Sequence, residues 1–556
     1  MRTRSIALSR IESETFDVCV IGGGATGAGC ALDAQLRGLK TVLFDAGDFA
    51  SATSSASTKL VHGGVRYLRQ AIAELDVGQY HVVRRALRER KLMLHNAPYL
   101  AKPLELLVPC FSNYEVLYYR IGMKLYDWIS GKSLLFPSRY VSREESIRRI
   151  PALKPEGLVG SVAYADGQFD DARYDIALIQ TLTECGGEAL NYARIVGFEK
   201  ASDGRLMAAQ VQDQISHRRL TVRARAFVNA TGPFSDSIRQ LASPGIEQRL
   251  RPTKGVHILL PVEGFCNGDA LLIPKTDDGR VIFAIPWLDR LLVGTTDDEA
   301  TLQDEMVVKR EEAEYLLRHL NRYLAKPLTT DQIVSGFAGL RPLVSSAGAR
   351  NTKKLIRDHE VELDKGTGLI SVLGGKWTTY RAMAEDATNA VQQYLGGSVA
   401  KCITRHHPLS GSQGWTPGFG EALATGYRVS PGTTRHLSEK FGAGAKKILD
   451  LAKQNSHLAS PLVEGLAPIQ AEIVYSIRQE MAMTIGDILA RRIGLQLFDW
   501  RLAIKAAPVV GSYLAQELDW SRTQMQQAVE DYINKTNRLL QTIGLRPEHV
   551  DLEHAG

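Results

Sequence analysis

Residues 16–45 read FDVCVIGGGATGAGCALDAQLRGLKTVLFD, and this stretch decides the fold. Residues 16–21 are a short apolar run with the character of a buried parallel strand. Gly22, Gly24 and Gly27 follow at once in G-x-G-x-x-G spacing. Residues 26–37 read as a helix closed by Gly38, and residues 41–44 as a second apolar strand. The expected unit is therefore strand, tight turn, helix, strand. One glycine makes the turn, a second lets backbone approach a pyrophosphate, and a third allows close helix–strand packing. The anion would sit on the helix N-terminus. Asp45 ends the second strand 18 residues after Gly27, where a carboxylate can hold an adenosine ribose hydroxyl.

The surrounding chain is long enough for two or three domains at 556 residues, and its apolar content of 44% suits a globular protein. The net charge of +6 favours an anionic substrate or an anionic membrane surface and does not imply nucleic acid. Six scattered cysteines, none in C-x-x-C spacing, argue against zinc ribbons and cysteine-ligated iron–sulfur clusters and suit a reducing compartment. Neither a signal peptide nor an apolar run long enough to span a bilayer is present, so a cytoplasmic protein with at most peripheral membrane contact is expected.

Further along, the Ser/Thr-rich segment 47–68 follows the second strand, where it can offer N–H groups and hydroxyls to a cofactor. Residues 73–93 read as a helix, and 113–136 mix Tyr, Trp, Leu and Ile with Arg and Lys. That second segment suits equally a helix lying on a bilayer or one packed on its neighbours. Residues 174–185 read as a helix, and 194–198 and 223–229 as strands, the latter running into Ala230-Thr231-Gly232 at a carboxyl end where ligands collect. Several strands between 254 and 298 suggest a mixed sheet, and a strand, turn and helix beginning near Thr378 return to the first fold. Beyond a linker at 410–418 the chain reads as all-helical. Ile473, Ile477, Met481, Ile485 and Leu489 stand at four-residue steps as one apolar stripe, and Ser521 with Gln524 has capping-box spacing. The charged set Arg478, Glu480, Asp487, Arg491 and Arg492 reads as a solvated helix face, with a docking surface as the other option.

The motifs IGGGATGAG, SSASTKLVHGGVRYL, YADGQFDDAR, VNATGP, KGVHI, GTTD, LRPL and GGKWTTYR occur in this order. In this they resemble the FAD-dependent glycerol-3-phosphate dehydrogenases, a branch related to D-amino-acid oxidase. The resemblance implies an α/β fold with a discontinuous FAD-binding Rossmann-like domain at 14–80, 160–235 and 336–395. It also implies an inserted mixed-sheet substrate domain at 81–159 and 236–335, and an all-helical C-terminal domain at 400–556. It further implies FAD as cofactor, held by Gly22, Gly24, Gly27, Asp45, Ser54, Ser55, Gly232, Gly375, Thr378 and Thr379. Glycerol 3-phosphate would be bound by Arg66, Tyr67, His257, Arg341 and Lys376 and oxidised to dihydroxyacetone phosphate, with electrons passing to a membrane quinone.

Three cations on separate loops suit a phosphate monoester. His257 is the first choice for the base that takes the hydroxyl proton, His62 the second, and Arg341 can stabilise the developing alkoxide. A homodimer on the inner face of the cell membrane is suggested by the family. The competing functions are an oxidase that uses oxygen, an amine or amino-acid oxidase, and a non-catalytic flavoprotein subunit.

Overall fold

A computed structural model describes residues 4–64, 77–345, 359–397 and 400–549. The strand Phe16–Ile21 is buried at every position but Asp17, because both faces of the sheet are covered and a continuous apolar run is what such a strand needs. It pairs in parallel with Thr41–Phe44 on one side and with Arg219–Asn229 on the other. The sheet extends through Glu188–Leu190 at one edge and through Leu369–Gly374 to an antiparallel His359–Leu363 at the other. Ala25–Leu36 packs on it beside Asp171–Glu184 and Tyr380–Leu395, with Ala28, Ala31, Tyr174, Ile176, Met383 and Ala384 in one buried cluster.

The turn between the first strand and its helix is set by backbone crowding. Gly22 has φ +107°, a conformation that L side chains rarely adopt, and a Cβ there would lie 2.6 Å from the Ala230 carbonyl oxygen. A Cβ on Gly27 would run into the Gly22 carbonyl oxygen. The glycine spacing thus lets the helix start directly against the strand end.

The second sheet centres on Leu250–Pro261, which pairs antiparallel with Arg290–Gly294, Asp298–Glu299 and Ser335–Val344. It continues through Ile282–Trp287, Ala270–Ile273, Ala101–Cys110, Gly160–Phe169 and Leu60–Val61, with one parallel pair between Ala270–Ile273 and Ala101–Cys110. Three segments expected in the FAD-binding domain therefore belong to this other sheet: Leu60–Val61, Gly160–Phe169 and Ser335–Val344. Apolar alternation marks a strand but not its partner, and only long-range pairing distinguishes the two sheets.

The C-terminal part is helical, with Ala471–Glu480, Trp500–Leu518 and Arg522–Thr542 as its main elements. Ser521 caps the last of these in a complete capping box with Gln524. The apolar stripe from Ile473 to Leu489 is buried throughout, yet it does not lie on one helix. Ala471–Glu480 ends at Met481, which adopts the left-handed conformation at φ 52°, and Asp487–Arg492 then forms a π-helical turn against the same core.

The expected solvated charged face is also corrected. Glu480, Asp487 and Arg492 are fully buried, and Arg491 is nearly so, because they pair with charges on other elements. Arg478 alone keeps an exposed pairing, with Glu517.

Asn113–Ser130 packs one face on its neighbours and leaves the other exposed. Met123, Tyr126 and Ile129 are buried against the second sheet, while Tyr114 (75% exposed), Leu117, Tyr118, Ile121 (61%) and Trp128 (71%) form an apolar stripe toward solvent.

Gly27→Ala is expected to destabilise the apoprotein by about 1–3 kcal/mol in urea unfolding, the usual cost of overpacking, and to lower FAD content in the same preparation. An unchanged midpoint would show that the turn has slack that its geometry does not display.

Candidate active site

The two sheets enclose a cleft of about 1250 Å³. At one end its wall is the glycine turn, Gly22 and Gly24, with Asp45 and the Ala230 to Pro233 turn. At the other end it is formed by His62, His257, Arg341 and Lys376. Residues Asp45 to Ser54 and Ala56 to Thr58 run along it and connect the ends, except Asp48 and Phe49, which turn inward.

At the glycine end the first helical N–H groups face the cleft, and the Ala25 N–H donates to Ser54 Oγ (2.9 Å). Such an end carries partial positive charge and free donors, which suits a phosphate. Asp45 accepts from the Gly23 N–H (2.6 Å) and the Gly47 N–H (2.8 Å), and so ties the glycine turn to the following loop. Burial pushes its carboxyl up to about 6, and the two backbone donors oppose that rise. A carboxylate keeps further lone pairs beyond these two bonds, so it can also accept from a ribose hydroxyl.

Gly375, with φ +96°, and Thr378 line the cleft opposite, and the Trp377 indole N–H donates to the Ser54 carbonyl (2.8 Å). The Thr378 hydroxyl accepts from the His62 N–H (3.3 Å) and thereby joins two distant motifs. Of the expected cofactor residues, Gly27, Ser55 and Thr379 do not line the wall. Gly27 packs on Gly22, the Ser55 hydroxyl turns to Ala52, and the Thr379 hydroxyl donates to the Lys376 carbonyl (3.2 Å).

The opposite end is a product of strand register. His257 pairs with Phe337 and Thr253 with Arg341 on neighbouring strands, so the two-residue period puts His257 and Arg341 on one face. A glycine makes room for each side chain. The His257 ring lies over Gly294 and the Arg341 guanidinium over Gly255, and a Cβ at either glycine would collide with it.

His257 is 2% exposed, stacks on Phe337 with ring centroids 4.8 Å apart, and has Nε2 3.0 Å from Thr58 Oγ1. Burial holds its pKa well below the ordinary histidine value, with the charges of Arg341 and Lys59 adding to the effect. It is thus a neutral imidazole able to take a proton. Arg341 donates to Asp297 Oδ1 (3.1 Å), Thr295 Oγ1 (2.9 Å) and the Thr296 carbonyl (2.9 Å), which fixes its charge in place.

His62, the second base candidate, also lines the cleft and is held below its ordinary value by burial, with the Lys376 and Arg90 charges adding to it and Asp166 opposing. Arg66 and Tyr67 lie outside the described residues.

Two residues here escaped sequence reasoning. Thr58 partners His257, and Lys59 is fully buried, paired with Asp171 (2.5 Å) and lying over the rings of Trp287 and Phe337. The available signal was that Lys59 is the one Lys in the Ser/Thr-rich segment 47–68, where Arg66 is the one Arg.

A narrow glycine turn, a helix N-terminus and an acid at the end of the second strand together fit an adenine dinucleotide. Residues 17–381 match the FAD-dependent oxidoreductase family, and residues 402–525 match the C-terminal domain of alpha-glycerophosphate oxidase. A mitochondrial glycerol-3-phosphate dehydrogenase of Arabidopsis thaliana is 37% identical over 95% of this chain and 86% of its own length. The chain belongs to the FAD-dependent glycerol-3-phosphate dehydrogenases.

A mitochondrial relative in Rattus norvegicus is 36% identical over 97% of this chain and 77% of its own. The solved glycerol-3-phosphate dehydrogenase of Bacillus halodurans, complexed with FAD, matches with a TM-score of 0.78 and 28% identity over 99% of both chains. FAD is accordingly the cofactor of this family member. An L-alpha-glycerophosphate oxidase from Mycoplasma pneumoniae, at 16% identity and a TM-score of 0.53 over 68% of this chain and 95% of its own, shares the fold.

Gly255→Ala should force the Arg341 guanidinium off its three partners while leaving the strands paired. The expected result is normal FAD content with kcat/KM lowered about 10²-fold, the scale of losing one oriented donor. Unaltered steady-state kinetics would show that Arg341 does not act from this position.

Proposed function

We propose that the protein oxidises sn-glycerol 3-phosphate at C2 to dihydroxyacetone phosphate and delivers the electrons to a membrane quinone. The observation that carries this reading is the placement of a neutral, buried His257 beside the fixed charge of Arg341. Both lie in a cleft continuous with the dinucleotide turn.

Oxidation of a secondary alcohol releases a hydroxyl proton and a hydride from the carbon. FAD, when bound, supplies the hydride acceptor. His257 accepts the proton, and its depressed basicity keeps it unprotonated and ready across the neutral range. Arg341 stabilises the negative charge that grows on the substrate oxygen, and Lys376, with Arg66 and Tyr67, holds the phosphate. Gly22, Gly24, Asp45, Ser54, Gly232, Gly375 and Thr378 hold the cofactor. Gly27, Ser55 and Thr379 support that wall from behind.

The route to quinone is supported by the exposed stripe on Asn113–Ser130. Tyr118 and Ile121 belong both to that stripe and to the cleft wall, so an apolar surface adjoins the site. Arg120 and Lys124 are exposed on the same helix, Lys132 is exposed just beyond its end, and all three suit anionic headgroups. No helix among the described residues is long and apolar enough to cross a membrane, so the contact we propose is a helix lying on the inner face of the cell membrane. The C-terminal match to a glycerophosphate oxidase domain keeps oxygen as the competing acceptor.

Both parts are tested by one pair of assays. The purified protein should turn over glycerol 3-phosphate anaerobically with a short-chain quinone, and in air without quinone should release peroxide at under a tenth of that rate. Peroxide formed in step with substrate loss would replace quinone by oxygen. Leu117→Glu combined with Trp128→Glu should abolish sedimentation with phosphatidylglycerol vesicles without altering soluble turnover. Retained sedimentation would move the membrane surface elsewhere.

A further inference from the structure

Asp48 is the polar residue of the cofactor loop that points away from the cleft. It is 1% exposed, and four donor atoms from three residues on two segments close on it. Arg491 Nε donates to Oδ2 (2.7 Å), Arg492 Nη1 to Oδ2 (2.8 Å), Arg492 Nη2 to Oδ1 (2.9 Å) and Asn191 Nδ2 to Oδ1 (3.0 Å). Both arginines come from the π-helical turn Asp487–Arg492 of the C-terminal part, more than 440 residues away along the chain.

The arginines are held in turn. Arg491 donates to Asp487 (2.6 Å), and Arg492 donates to the Glu480 carbonyl (2.8 Å) and pairs with its carboxylate. Glu480 receives a fork of two bonds from Arg173, each 2.7 Å, and Arg173 stands on the helix that also carries Asp171. Tyr192 completes the ring by donating to Asp487 (2.7 Å). Three carboxylates and three guanidiniums thus meet in the interior.

The position of this cluster gives it a bearing on the cofactor. Asp48 follows Gly47, whose N–H donates to Asp45 and whose carbonyl accepts from the Tyr192 N–H (2.7 Å). Asp45 in turn holds the glycine turn through Gly23. A shift of Asp48 is therefore passed through one residue to the wall of the dinucleotide site. Both arginines use oriented forks, which a single ammonium could not reproduce.

We propose that the C-terminal helical part holds the FAD loop in binding geometry through Asp48, with Arg491 and Arg492 acting as positioning residues for the cofactor. The proposal concerns FAD retention and is independent of which substrate the enzyme oxidises.

The test compares wild-type holoenzyme with Asp48→Asn, which keeps the shape and removes the charge. FAD dissociation is followed by the rise in flavin fluorescence on release, and thermal midpoints are taken with and without added FAD. The expected result is release at least tenfold faster and a smaller FAD-induced rise in midpoint. A purely structural role would lower both midpoints together and leave their difference unchanged, and release within twofold of wild type would overturn the proposal. Arg492→Lys should fall between wild type and Asp48→Asn. Should Asp48→Asn not fold, Arg491→Gln, at the partly exposed edge of the cluster, is expected to release FAD about threefold faster, and an unchanged rate there would equally overturn the proposal.

Discussion

The cleft depends on how closely the backbone of Gly27 approaches the carbonyl of Gly22. That contact lets Ala25–Leu36 begin against the end of Phe16–Ile21, so the helix N-terminus opens into the cleft, with the Ser54 hydroxyl accepting from its Ala25 N–H. The parallel neighbour Arg219–Asn229 ends beside it, and the Ala230 carbonyl closes on Gly22 from the other side. A methyl group at either glycine would separate strand ends that must converge for the dinucleotide wall to exist. Backbone packing, more than any side chain, fixes this half of the site.

The other half is fixed by electrostatics inside a sheet. His257 and Arg341 share a face of the second sheet, and glycines opposite each leave the volume they occupy. Lys59 adds a buried positive charge behind them, and Asp171 compensates it at 2.5 Å. Burial, with these two cations adding to it, keeps the imidazole neutral, which is what proton acceptance requires. Behind the loop that joins the two halves lies the cluster of Asp48, Arg491 and Arg492. Breaking a buried ion pair of this type costs about 3–5 kcal/mol, whereas exposed pairs such as Arg478 with Glu517 contribute about 0–1 kcal/mol. Among the ion pairs that join the C-terminal part to the cofactor domain, the interior ones are the more sensitive to loss of one partner.

What was legible in the sequence follows from which forces are local. The strand 16–21 and the strand 41–44 have the bounds expected, since apolar runs and glycine punctuation act over a few residues. The helix expected at 174 begins instead at Asp171, because the Asp170 side chain caps it by accepting from the Arg173 N–H (3.1 Å). Non-local pairing was not legible. Ser335–Val344 joined the second sheet, and charges spaced like a solvated face turned inward to partners hundreds of residues away. Of the site, His257, Arg341, Lys376 and His62 line one cleft as their motifs suggest, while Thr58 and Lys59 are visible only once the loop has folded. Register brings His257 and Arg341 together, and no spacing within either motif encodes that register.

The central claim is that this cleft couples bound FAD to oxidation of a phosphorylated polyol. Anaerobic titration of the purified protein with glycerol 3-phosphate, followed by flavin absorbance near 450 nm, a property of the cofactor, tests it most directly. The account predicts stoichiometric bleaching by glycerol 3-phosphate, none by glycerol or amino acids at equal concentration, and recovery of colour on adding a quinone. A flavin that stays oxidised with glycerol 3-phosphate, or bleaches equally with an amino acid, would contradict it.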